Sequence, residues 1–87
     1  MAITTFAELA EVEKPTFETL SEILKEYAES GKAISGRVVI TIIRKMALTE
    51  AEKNDLTNSA RVGIRKQTAL QCPEEVEQYK WVIAALV

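Results

Sequence analysis

The sequence of 87 residues predicts an all-α fold, a small bundle of four to five helices in a single domain over residues 1–87. Three observations predict this class: apolar residues recur at helical spacing, Thr-x-x-Glu pairs precede two segments, and glycine or proline separates neighbouring segments. The expected helices cover residues of about 5–14, 16–30, 35–47, 49–71 and 73–87. A chain this short buries only about 60–65% of the surface that it exposes when unfolded, so association with further copies would reinforce it.

The first two helices are bounded by capping residues and by a proline. Thr5 and Glu8 form a capping-box pair, and Pro15 should end the first helix by Lys14. The second segment, 16–30, is followed by a glycine that suits the left-handed position after a helix. Its apolar face comprises Phe17, Leu20, Ile23, Leu24, Tyr27 and Ala28, and its opposite face is an acidic ridge of Glu18, Glu22, Glu26 and Glu29.

The stretch SGRVVITIIRKMALTE, residues 35–50, has two possible interpretations. Its run of valine and isoleucine favours a buried strand. A strand, however, would mix basic and apolar side chains on one face, whereas a helix gathers the apolar side chains into one broad arc. Because Ser35 is also a suitable N-cap, we predict a helix. This helix would expose only a narrow basic stripe, formed by Arg37, Thr41, Arg44 and Lys45.

The fourth and fifth helices begin at a capping box and at a proline. Thr49 and Glu52 form the capping box of the fourth helix. The small residues Ala60 and Gly63 lie on its apolar seam and would let another helix approach closely. Pro73 suits the first position of the last helix. That helix ends in the segment YKWVIAALV, which is apolar on nearly every side.

Charge along the chain alternates in three blocks, although the net charge is only −2. Residues 1–31 carry seven glutamates and two lysines, residues 32–71 carry eight basic and three acidic residues, and residues 72–87 carry three glutamates and one lysine. The acidic flanks and the basic centre can therefore attract each other, within one molecule or between copies. The sequence has no signal-peptide pattern and no apolar run of membrane-spanning length, so we expect a cytoplasmic protein without a membrane partner.

The sequence offers no catalytic or metal-binding motif. It contains no histidine, which removes the usual base of serine and cysteine hydrolases and a common metal ligand. We expect the single cysteine, Cys72, to be a structural or N-capping thiol, with a reactive or bridging thiol as the alternative. The stretch GKAISGR repeats the glycine spacing of a phosphate loop, but Arg37 and Val38 stand where that loop needs Lys and Ser/Thr. We therefore expect a protein that is not an enzyme and that needs no metal or cofactor.

A basic surface is the main feature that could bind a ligand. The second and third helices have the short turn of a helix-turn-helix, but the polar side of the third helix is thin and lacks the Asn or Gln that reads adenine. If the third and fourth helices packed side by side, their basic residues would suit a nucleic-acid backbone or a small phosphorylated ligand. The candidate anion-binding residues are Arg37, Thr41, Arg44, Lys45, Arg61, Arg65 and Lys66. Pairing of the basic stripe with the acidic ridge, in the same molecule or in another copy, is the other interpretation of these charges.

The apolar C-terminal helix is the most informative segment for function. A small monomer cannot easily bury such a helix on all sides, and an exposed apolar patch marks an interface. The interface candidates are Tyr79, Trp81, Val82, Leu86 and Val87. Passage of this helix through the centre of the bundle is the alternative. We expect a homo-oligomer that acts as an assembly, adaptor or inhibitor module, with nucleic-acid or anionic-ligand binding as the alternative function.

Overall fold

A computed structural model, which describes residues 3–87, contains five α-helices and no strand in that range. The helices are α1 (Phe6–Ala10), α2 (Phe17–Ser30), α3 (Gly36–Arg44), α4 (Glu50–Ala69) and α5 (Pro73–Leu86). The predicted all-α bundle is confirmed, including the helix in the valine- and isoleucine-rich stretch. There, Val39, Ile42 and Ile43 are buried, because their spacing places them on one side of α3. No helix within the described range has the length and apolar character needed to cross a membrane.

The two predicted capping boxes lie at the starts of α1 and α4. At α4 the box is complete, since the Thr49 hydroxyl accepts the Glu52 N–H at 3.1 Å and the Glu52 carboxylate accepts the Thr49 N–H at 2.9 Å. At α1 the Thr5 hydroxyl accepts the Glu8 N–H, but the Glu8 carboxylate accepts the N–H of Thr4 instead of the N–H of Thr5. The hydrogen bonds from the Thr4 backbone and the Thr5 hydroxyl lower the pKa of Glu8.

Helix α1 ends at Ala10, before the Lys14 that the sequence predicts. The Lys45 ammonium donates to the backbone carbonyls of Ala10 and Val12, the latter at 3.3 Å. These carbonyls therefore have a donor without a further helical turn. Pro15 is buried, and its ring disfavours helical backbone at the residue before it.

The C-terminal ends of α2 and α4 both turn through a residue with positive φ. Gly31 follows α2 with φ 76°, and its N–H donates to the Tyr27 carbonyl at 3.2 Å. After α4 the same position is taken by Gln71, with φ 59°, where glycine is the usual residue. The Cys72 N–H then donates back to the Gln67 carbonyl at 2.9 Å, which closes the turn into α5.

The five helices close into a ring around one core. In ring order, α1 packs on α2, α2 on α4, α4 on α5, α5 on α3, and α3 again on α1. Within the described chain, α3 has no Cα atom within 8 Å of α2 or α4, so α5 lies between α3 and α4. The buried apolar side chains of the core are Phe6, Leu9, Leu20, Ile23, Leu24, Ala28, Ile34, Val39, Ile42, Ile43, Leu56, Ala60, Tyr79, Val82 and Leu86.

Candidate functional site

The C-terminal helix α5 has a buried side and an exposed side. Tyr79 and Val82 are fully buried, and Leu86 is 4% exposed. These three interface candidates lie inside the monomer because the ring of helices covers that side of α5, so they cannot reach a partner while the fold is intact. Trp81 and Val87 are exposed at 49% and 100%. The expected interface is thereby reduced to the outer side of the helix.

The exposed side of α5 forms a ridge whose members lie three or four residues apart. This outer ridge consists of Glu74, Glu77, Trp81, Ala84 and Ala85, all of which are exposed. It is acidic in its first half and apolar in its second half. One side of the Trp81 indole packs on the start of α3, where a Cβ added at Gly36 would lie 3.2 Å from the indole Cε3. The indole therefore packs against α3 on one side and is exposed on the other.

Two polar side chains of α5 hold the start of α3. Gln78 Oε1 accepts the Gly36 N–H at 2.7 Å, and Glu75 Oε1 accepts the Ile34 N–H at 3.0 Å. The Ser35 hydroxyl accepts a further N–H of the first turn at 3.4 Å. A phosphate would need these same donors. The chain supplies its own acceptors at this turn, which agrees with a structural turn and not with a phosphate loop.

The basic candidates are exposed but lie on two separate surfaces. Arg37, Thr41, Arg44 and Lys45 lie on α3 and its C-cap, and Arg61, Arg65 and Lys66 lie on α4. Because α5 separates the two helices, the continuous basic surface considered from the sequence does not form. The closely packed helix pair of a helix-turn-helix is also not found, since no Cα atoms of α2 and α3 lie within 8 Å of each other among the described residues.

The acidic ridge of α2 is exposed and makes no ion pair with the basic stripe. The ion pairs among residues 3–87 are Lys32–Glu26 at 3.2 Å, Lys53–Glu50 at 3.7 Å and Lys80–Glu77 at 3.7 Å. None of them joins α2 to α3, and no Cα atoms of these two helices lie within 8 Å of each other in the described chain. Pairing of the two charged surfaces within one molecule is thus not observed, and pairing between copies stays a prediction.

A shallow depression runs between α2 and α4. A cavity of about 210 Å³ at one end is lined by Lys25, Ala28, Glu29, Asp55, Asn58, Ser59 and Val62, and the depression continues past Val62 to Arg65 and Lys66. Its floor is made by the buried Ala28 and Ser59 and by Val62, which is 37% exposed. The Ser21 hydroxyl donates to Asp55 at 3.0 Å and ties the two helices together beside it. This α2/α4 depression combines a small, largely apolar floor with charged rims.

Cys72 is partly buried at the N-cap of α5, and its thiol makes no capping bond there. Its Sγ contacts the Leu70 carbonyl at 3.6 Å instead. The N-capping role considered for this thiol is therefore wrong, because the side chain points back towards the end of α4. No group of three or more His, Cys, Asp or Glu side chains suited to a metal ion occurs in residues 3–87.

Two polar side chains are buried between α4 and α5. Gln67 is 1% exposed, and neither its Nε2 nor the Tyr79 hydroxyl has a hydrogen-bond partner in the described part of the chain. Burial, with a smaller contribution from the Glu75 charge, raises the pKa of Tyr79 to about 12. In the sequence, Gln67 is visible only as an interruption of an apolar seam. The hydrogen bonds that Glu75 and Gln78 accept from the Ile34 and Gly36 N–H groups have no sequence signal, because polar residues near the start of a helix look the same when they are solvated.

Comparison of the chain with known protein families, with curated proteins and with solved structures finds no match.

Proposed function

We propose that the protein is a small, non-enzymatic interaction module that self-associates through the outer ridge of α5. The observation that carries this proposal is the Trp81 indole, which is 49% exposed and held in place against Gly36. Exposed, rigid aromatic side chains are enriched at the centres of protein interfaces, because they bury a large area at little cost in side-chain entropy.

The neighbours of Trp81 support an interface at this position. Ala84 and Ala85 follow it on the same ridge and are exposed, so another backbone can approach the indole closely. Val87 extends the apolar end of the helix and is fully exposed. For a chain of this size, burial of such a patch against a second copy also adds to a limited hydrophobic core.

The mass of the purified protein in solution tests the proposal. Light scattering behind a sizing column should give a mass above the 9.7 kDa of one chain, rising with protein concentration. Trp81→Glu should reduce the mass to that of one chain, because it places a charge in the patch. A point substitution is needed because truncation of the helix would also remove Val82 and Leu86 from the core.

Two further variants separate loss of the interface from loss of the fold. Ala85→Glu adds the same charge to the ridge but leaves the contact between Trp81 and Gly36 intact, so it should also lower the mass. Asn54→Glu adds the same charge at an exposed position near the start of α4, outside the ridge, and should keep the wild-type mass. Circular dichroism verifies that each variant is helical. A wild-type protein that stays at the mass of one chain at every concentration would contradict the proposal.

A second candidate function is the binding of a nucleic-acid backbone or a phosphorylated ligand by α4. Arg61 and Arg65 are exposed one turn apart, and neither makes an ion pair among residues 3–87. The double variant Arg61→Glu/Arg65→Glu should abolish retention on DNA or RNA, and retention by the wild type should fall steeply with salt. Arg37→Glu/Arg44→Glu makes the same change of charge on the separate α3 surface, whose residues are also candidates, and loss of retention by this variant alone would assign the binding to α3 instead of α4. Absence of wild-type retention at low salt would remove this candidate.

A further inference from the structure

We infer that the outer ridge of α5 docks into the α2/α4 depression of a second copy of the chain, in a head-to-tail contact with α5 antiparallel to the neighbour's α4. This inference rests on the proposed self-association through α5 and adds the surface that receives the ridge. The first argument is shape. The ridge projects a half-exposed indole, and the depression offers the side chain of Val62, which is 37% exposed at the edge of a cavity of about 210 Å³.

The spacing of residues on the two helices gives a consistent register. With Trp81 placed over Val62, Ala84 and Ala85 lie three and four residues towards the C-terminus of α5. In an antiparallel arrangement Ala84 faces Ser59, three residues before Val62, and Ala85 faces Asn58, four residues before Val62. The two alanines and Ser59 are small, so the helices can come close together there, and the exposed Asn58 amide lies beside Ala85.

The charges match in the same register. Glu77 lies four residues before Trp81, and Arg65 and Lys66 lie three and four residues after Val62. The acidic half of the ridge therefore meets the end of the depression where these two basic residues outnumber the single carboxylate of Glu29. In the described residues, neither Arg65 nor Lys66 has an ion-pair partner within the molecule. The Glu77 carboxylate lies 3.7 Å from the Lys80 ammonium, which is a long distance for an ion pair. Opposite charges across an interface fix its register and discourage other arrangements.

Two outer ridges packed on each other would lack this complementarity. Each ridge contributes Glu74 and Glu77, so a symmetric pair would bring four carboxylates to one interface, with Lys80 of each helix as the neighbouring basic residue. The docking of a ridge into a depression uses two different surfaces of each molecule, and such contacts generate closed rings or open filaments. The mass of the wild type is therefore expected to grow beyond two chains as the concentration rises.

A mixing experiment tests this geometry. Trp81→Ala removes the docking side chain but keeps the depression, whereas Val62→Glu blocks the depression but keeps the ridge. Each variant alone should have the mass of one chain, 9.7 kDa. Mixed in equal amounts, they should form a complex of two chains that grows no further, because one intact ridge meets one intact depression. Ala85→Glu serves as a second ridge variant in the mixture, and Asn54→Glu, exposed on α4 outside the depression, is the charge-matched control that should keep the wild-type mass.

The outcomes distinguish the inference from the proposed function. If Val62→Glu associates like the wild type while Trp81→Ala does not, the ridge pairs with another surface; the head-to-tail inference is then overturned and the proposed function stands. A mixture in which both folded variants stay at the mass of one chain also overturns the inference. If the wild type never exceeds the mass of one chain, both the inference and the proposed function fall.

Discussion

Tyr79 shows how a single side chain fixes the packing of two helices. A Cβ added at Gly63 would lie 2.4 Å from two carbons of the Tyr79 ring, so the glycine makes room for the aromatic ring of α5. The close approach expected at Gly63 is thus present, and the ring is fully buried. The Tyr79 hydroxyl, however, has no hydrogen-bond partner in the described residues. The ring therefore stabilises the fold, while its hydroxyl opposes it.

We predict that Tyr79→Phe raises the free energy of unfolding. A buried hydroxyl without a partner costs on the order of 1–3 kcal/mol, and the phenylalanine ring keeps the contact with Gly63. Urea unfolding followed by circular dichroism measures the change. A loss of stability would mean that the hydroxyl has a partner in solution, such as a buried water.

We also predict that the raised pKa of Tyr79 makes the stability of the fold depend on pH. The pKa of Tyr79 rises from its usual 10.0 to about 12 in the folded chain, because burial and the Glu75 charge oppose the phenolate. The neutral form is favoured by the fold, so this contribution is fully present below pH 10.0 and is lost as the pH rises to about 12. Comparison of the wild type with Tyr79→Phe isolates this effect from other groups that titrate there. Parallel stability curves for the two proteins would contradict the raised pKa.

Local sequence signals predict the individual helices, but they do not predict how the helices are arranged in the ring. The capping residues Thr49 and Ser35, and Pro73 at the start of α5, predict where helices begin to within one residue. The order of helices in the ring depends on contacts between distant residues, so the insertion of α5 between α3 and α4 has no signal in the local pattern. For the same reason the sequence could not show which side of α5 is buried, and it assigned Tyr79 and Val82 to an interface.

The hydrogen bond between Gln78 of α5 and the start of α3 joins these two helices. Gln78→Ala removes the acceptor of the Gly36 N–H, which is buried and bonded at 2.7 Å. We expect the free energy of unfolding to fall by about 1–3 kcal/mol and the Gly36 amide to exchange faster with deuterium. Lys80→Ala is the control on the same helix, because its exposed pair with Glu77 at 3.7 Å should contribute about 0.5 kcal/mol or less. Equal effects of the two substitutions would contradict the role assigned to Gln78.

At the scale of the whole molecule, the ring places its charges on different surfaces. The acidic ridge of α2, the basic stripe of α3 and the basic residues of α4 are all exposed, and no ion pair among the described residues links the first two. Such a distribution leaves the charges available for contacts between molecules. In the proposed self-association, the apolar end of α5 would supply the hydrophobic part of the contact.

The most direct test of self-association through α5 uses the fluorescence of Trp81, which is the single tryptophan of the sequence. Its emission maximum, measured together with the mass over a series of protein concentrations, reports whether this indole leaves water when copies associate. We expect the emission to shift to shorter wavelength in step with the increase in mass, since the exposed half of the indole becomes buried in the contact. A mass that increases while the emission stays unchanged would contradict the assignment of Trp81 to the interface.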